Sequence, residues 1–144
     1  MSATYYPSTT VWNWDYYGEG SNILIQPGEG GPLVMSFTAN ATCTAGQCVD
    51  IQTGSVVQPA ADSSATTAGI VTESFASGAH GPVCANGVVR GVTASGAITA
   101  GARVIAAGAP AGSVKSGTTA GEVIGTAITA SSTTGATIVL YVHH

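Results

Sequence analysis

The chain has 144 residues, enough for one ordinary domain with a real core, and only 7% of them are charged. A net charge of −4 with just three basic residues, Arg90, Arg103 and Lys115, leaves nothing from which to build a phosphate-binding patch, so a nucleic-acid partner is excluded. No apolar run approaches the ~18 residues that span a bilayer, and the opening residues lack the basic and apolar regions of a signal peptide, so no membrane partner is expected.

The first 17 positions hold six of the nine aromatic residues: Tyr5, Tyr6, Trp12, Trp14, Tyr16 and Tyr17. Trp12, Trp14 and Tyr16 recur at period two, the spacing of an extended strand. Such a segment could plug its own domain or lie against another subunit. Tryptophan and tyrosine carry much of the energy at interfaces, and the six are therefore expected to bind a partner. Gly18-Glu19-Gly20-Ser21 and Pro27-Gly28-Glu29-Gly30-Gly31-Pro32 are turn or hinge clusters that bracket Ile23-Leu24-Ile25. They divide an extended N-terminal arm, residues 1–32, from a body, residues 33–144.

The body reads as β almost throughout. Strands are expected at 33–39, 47–52, 69–74, 87–93, 102–106, 122–128 and 136–142, each short, β-branched and bounded by Gly or Pro. Ile138-Val139-Leu140-Tyr141-Val142 is continuously apolar and is expected to be a central strand covered on both faces. No 3.6-residue stripe lasts beyond two turns, so no helix is expected. The fold class is all-β, a compact barrel or sandwich-like body.

That body contains an internal match. Thr38 to Val49 aligns without gaps on Thr93 to Val104, with six of twelve positions identical. Thr66 to Val71 aligns on Thr118 to Val123 with five of six identical, in the same order and at nearly the same offset. The body is therefore expected to consist of two similar halves, about 33–86 and 87–142, with Thr44-Ala45-Gly46 and Thr99-Ala100-Gly101 as matching turns.

Catalytic chemistry finds little support. The acids Asp15, Glu19, Glu29, Asp50, Asp62, Glu73 and Glu122 are scattered, and no Gly-x-Ser-x-Gly elbow occurs. A serine triad could draw only on His80 or on His143 and His144, which end the chain and are assigned no role. Gly28-Glu29-Gly30-Gly31 has no Walker lysine. Cys43, Cys48, His80 and Cys84 could in principle supply four zinc ligands. Their spacing is wide, and Cys43 aligns on Ile98, so they read as small buried apolar residues. A Cys43–Cys48 disulfide across the intervening turn stays open at this point. No catalytic residue, metal or cofactor is expected.

The second half carries a resemblance. Asn86-Gly87-Val88-Val89-Arg90-Gly91-Val92-Thr93, then Gly96-Ala97-Ile98-Thr99-Ala100-Gly101-Ala102-Arg103-Val104, then Ala120-Gly121-Glu122-Val123-Ile124-Gly125-Thr126-Ala127, looks like the small capsid decoration, or cement, proteins of tailed phages. The resemblance covers about residues 33–142. It implies a non-enzymatic head-stabilising protein on the outer surface of the virion, assembled in the host cytoplasm. The implied partners are the major capsid protein, neighbouring decoration subunits and further copies of itself in a homotrimer. The competing class is a glycan- or receptor-binding β-module of a phage fibre, with Trp12, Trp14 and Tyr16 stacking on sugar rings.

Overall fold

The computed structural model describes residues 32–143. The arm aromatics Tyr5, Tyr6, Trp12, Trp14, Tyr16 and Tyr17 lie outside the described residues. Within them the protein is all-β: nine strands and no helix. They are β1 (Leu33–Ala39), β2 (Cys48–Ile51), β3 (Val56–Pro59), β4 (Thr67–Val71), β5 (His80–Thr93), β6 (Arg103–Ala106), β7 (Val114–Ser116), β8 (Gly125–Ala127) and β9 (Thr137–Val142).

The strands form two rings that share β5. In the first, the order β1-β3-β2-β4-β5 closes on itself because β1 also pairs with the first part of β5. In the second, the later part of β5 pairs with β9, and the order continues through β8 and β6 to β7. A parallel bridge from Ala94 to Val114 brings β7 back to the end of β5. Closure removes sheet edges, which matters for a chain with few charges to guard them. The 14 residues of β5 can serve both rings because a bulge at Arg90-Gly91 shifts its register against β9.

The two rings repeat one another bond for bond. Cys43 exchanges two backbone hydrogen bonds with Phe75, as Ile98 does with Ser131. In the first turn Gln47 N donates to Thr44 O at 3.0 Å, and in the second Ala102 N donates to Thr99 O at 3.0 Å. Gly46 and Gly101 take φ of 92° and 88°, left-handed values that suit glycine, and donate to Val71 O and Ala127 O. Thr38 faces His80 across β1–β5, and Thr93 faces Thr137 across β5–β9.

The second aligned segment is different. Thr66 to Val71 enters and forms β4, whereas Thr118 to Val123 is loop and turn, with Glu122 N bonded to Thr119 O. Strand pairing instead makes β8, between β6 and β9, the counterpart of β4, between β2 and β5. A side chain on Gly69 would strike the Cys84 carbonyl, and one on Gly125 would strike the Tyr141 carbonyl. The Thr-Thr-Ala-Gly match is thus one of composition alone, and the structural counterpart of β4 lies a few residues later, at β8.

Each ring encloses a core. Phe37, Val49, Val57, Val71, Phe75 and Val83 fill the first with Ala39, Cys43 and Ala68. Val92, Val104, Val114, Ile124, Ile138 and Leu140 are among those that fill the second. Cys48, Ile70 and Cys84, on the outer wall of the first ring, join this second core and form the seam between the rings. Burial of such side chains contributes about 1.5–3 kcal/mol each. Backbone bonds stitch the seam: Cys48 N to Gly112 O at 2.7 Å, Thr93 N to Gly46 O at 3.1 Å and Ser63 N to Ala106 O at 2.9 Å.

Candidate interaction surface

The zinc-type residues do not converge. Cys43 lies in the core of the first ring, while Cys48 and Cys84 lie in the seam, and all three are free thiols. Burial pushes the Cys48 thiol far above its ordinary range, with a smaller contribution from Asp50. Burial also raises Cys43 and Cys84, the latter opposed by a backbone hydrogen bond from Asn86. Protonated, buried thiols are poor nucleophiles and poor ligands. His80 is exposed, its Nδ1 2.9 Å from the Thr38 hydroxyl. Among the described residues no group of three or more His, Cys, Asp or Glu is placed to hold a metal.

The acids are equally dispersed. Asp50 is buried in β2, where its Oδ2 accepts from Ala61 N at 2.9 Å and its Oδ1 has no partner among the described residues. Asp62 pairs with Lys115 at 2.6 Å. Glu73 is exposed in the turn after β4.

What the strands do assemble is a continuous outer row on the second ring. Arg103 on β6 faces Thr126 on β8, Thr126 faces Tyr141 on β9, and Tyr141 faces Val88 on β5. Residues directly opposite in antiparallel pairs share a face, so the four side chains stand side by side. Tyr141 is 43% exposed and Val88 56% exposed. The Tyr141 ring lies against His143 at a centroid distance of 5.1 Å, and His143 Nε2 is 2.8 Å from the Thr126 hydroxyl. These contacts hold the tyrosine beside the row.

This corrects one expectation. β9 is covered on one face only: Ile138, Leu140 and Val142 are buried, while Thr137 and Tyr141 are exposed. A run of apolar residues concealed a period-two strand, because Tyr141 is apolar in body but tolerates water at its hydroxyl.

The row ends at an open depression of about 460 Å³, lined by Pro32, Val34, Gly46, Val88, Arg90 and Gly91 among others. Here the pairing of β1 with β5 ends, at Leu33 and Asn86, a few residues before the bulge in β5. Leu33, Val34 and Met35 are each 45% exposed beside it, so the start of β1 adds apolar surface to the same region. Two arginines and a tyrosine around aliphatic side chains suit protein contact.

No known protein family matches the sequence, and no curated protein matches it. Among solved structures, the fold is similar to the N base of head fiber gp8.5 in bacteriophage phi29, with a TM-score of 0.59 and 14% identity. The likeness covers 78% of this chain and 95% of that one. At that identity it is a likeness of fold.

Proposed function

We propose that the protein is a structural component of a phage virion that binds the outer surface of an icosahedral capsid and stabilises the head by bridging neighbouring subunits. The observation that carries this reading is the fold shared with a base that belongs to a phage head fibre. It agrees with the resemblance of residues 86–127 to decoration proteins. The closed rings and the low content of charge suit a stiff shell component.

The protein acts in this reading as a homotrimer, in contact with the major capsid protein and with neighbouring decoration subunits. The arm supplies the anchors, Tyr5, Tyr6, Trp12, Trp14, Tyr16 and Tyr17. Decoration stabilises the assembled head because it binds that state and not free subunits. A standard interface of roughly 1,600 Å² repeated over a closed lattice needs no single strong contact.

The likeness to a fibre base also favours a second reading, a glycan- or receptor-binding module of a fibre. One experiment separates the two. Residues 2–17 are deleted, the β-body is checked by circular dichroism, and binding to undecorated phage heads is compared with that of the full chain. The decoration reading expects binding to fall at least tenfold, the effect of losing one or two interface hot spots. Full binding by the truncated chain removes the arm as the attachment device. No binding by either form, with capture on a glycan surface, supports the fibre reading.

A further inference from the structure

We propose that the start of β1, Leu33 to Ser36, is a docking strand for the arm of a second copy of this chain, which adds its residues 11–17 alongside as a further strand. This rests on the homotrimer reading above and names where the arm lands.

The first argument is an open edge. The first ring closes where β3 meets β1, and that pairing takes in only Thr38 and Ala39 of β1. Thr38 N donates to Ser55 O on the β3 side, and Ala39 N donates to Ala79 O on the β5 side. Successive residues of a strand turn their backbone groups to opposite sides, so Val34 and Ser36 turn theirs the way Thr38 does. The register of β3 does not extend back to them. Pro82, opposite Ser36 on β5, has no N–H, and its carbonyl accepts from Thr72 N. Among the described residues no strand pairs with the outward side of Val34 and Ser36.

The second argument is what that edge carries. Leu33, Val34 and Met35 are each 45% exposed, so both faces of the strand are uncovered beside the open edge. No residue from Leu33 to Ala39 is charged. Edge strands that stay single are commonly guarded by charged side chains, and an apolar edge without them is a template for another strand.

The third argument is the occupant. Residues 1–31 lie outside the described residues and join the body at Pro32, directly before this edge. Their sequence holds a matching segment, Val11-Trp12-Asn13-Trp14-Asp15-Tyr16-Tyr17, with aromatics at period two. Held by main-chain hydrogen bonds to Val34 and Ser36, it sets Trp12, Trp14 and Tyr16 along one face of β1, against Leu33 and Met35. The 15 residues from Gly18 to Pro32 span up to about 50 Å when extended, against a radius of gyration of about 13 Å for a body of this size. That reach takes the segment to a neighbouring copy. Each copy then gives an arm and receives one through unlike surfaces, the heterologous arrangement that closes into a ring.

The test uses the full chain without capsids, by sedimentation equilibrium over a wide concentration range and by amide hydrogen exchange. The wild type is expected to self-associate, with the Val34 and Ser36 amides protected in the assembly and exchanging freely after dilution to monomer. Met35→Lys, which guards the edge, and Trp12→Ala with Trp14→Ala, which strips the arm, should each raise the dissociation constant at least tenfold with unchanged circular dichroism. Leu33→Lys should act as Met35→Lys does. Mixing the edge variant with the arm variant should restore a pair, because one keeps its arm and the other its edge. Failure of that mixture to pair overturns the proposal. So does a wild type that stays monomeric, whether or not its Val34 and Ser36 amides are protected. The same proteins are then mixed with undecorated phage heads. Self-association without head binding leaves this proposal standing and removes the capsid reading. Loss of head binding in Met35→Lys with self-association intact assigns the edge to the capsid and overturns the proposal.

Discussion

The two rings use the same backbone plan and fill it differently. In the first, the Phe75 ring packs directly on Gly81, where any side chain would strike it. At the matching places the second ring has Ser131 and Ile138. A large residue on the loop above a small one in the strand is replaced by the reverse. Outside, a buried apolar row, Cys48, Ile70 and Cys84, becomes a row of exposed Arg103 and Tyr141 around half-buried Thr126. Pairing therefore sets the architecture, and side-chain volume and polarity decide what each copy of it does. One ring is specialised to carry the other, and the other to face outward.

The largest effect expected from breaking this comparison is in the first core. Phe75→Ser should cost about 3–5 kcal/mol in urea unfolding, because it leaves a cavity over Gly81. Gly81→Ile alone should also destabilise, by about 1–3 kcal/mol, through overpacking. The double variant imports the pair of the second ring and should recover at least half of the summed loss. Simple additivity of the two changes would show that the sites are not coupled and that the exchange of volumes is accidental.

The outer rows give the next effect. Ile70→Thr should cost about 2–3 kcal/mol, since a hydroxyl enters a dry seam and a methyl leaves it. The reciprocal Thr126→Ile should cost less, about 1 kcal/mol, because its half-buried site loses only the contact of its hydroxyl with His143. Equal costs for the two would mean that the second row is as buried as the first.

How much of this was legible from residues alone follows the same division. The extent of β1 is legible in its residues, and so is the match of the two Thr-Ala-Gly turns, in which each glycine takes a left-handed φ. β3 and β7 were not anticipated. They are three or four residues long, hold Gln58-Pro59 and Lys115-Ser116, and form by pairing back on the strands just before them, β2 and β6. The first part of β5, His80 to Asn86, was also missed, because Gly81 and Pro82 read as a break. The outer row was invisible for a related reason. Only the register of β6, β8 and β9 brings Arg103, Thr126 and Tyr141 together, and no local pattern encodes that register.

A smaller effect comes from the cysteines, all of which belong to the first ring or its seam. Burial holds their folded-state pKa values above the ordinary thiol value of 9.0. Below pH 9 the thiols are neutral in both states and their contribution is fully present. Above it the unfolded chain releases protons that the folded chain retains, so stability falls as pH rises. The melting temperature should therefore drop between pH 8 and pH 10, and Cys48→Ala should flatten that drop. A slope unchanged by Cys48→Ala would place the alkaline sensitivity elsewhere.

The smallest effect belongs to Lys115–Asp62, which ties the loop after β3 to β7 and so links the two rings. Among the described residues it is the one salt bridge, which invites the idea that it clamps the rings together. Exposure argues otherwise. Its side chains are 40% and 61% exposed, so water screens the pair and the long lysine chain loses freedom by holding it. The apolar seam of Cys48, Ile70 and Cys84 is dry by comparison and should dominate. A double-mutant cycle with Lys115→Met and Asp62→Asn is expected to give a coupling below about 1 kcal/mol. It should shrink further in high salt, as screening shortens the reach of an exposed pair. A salt-resistant coupling of about 2 kcal/mol or more would mean that the rings are held by charge as much as by packing, and the first ring's buried row would lose its place as the main joint.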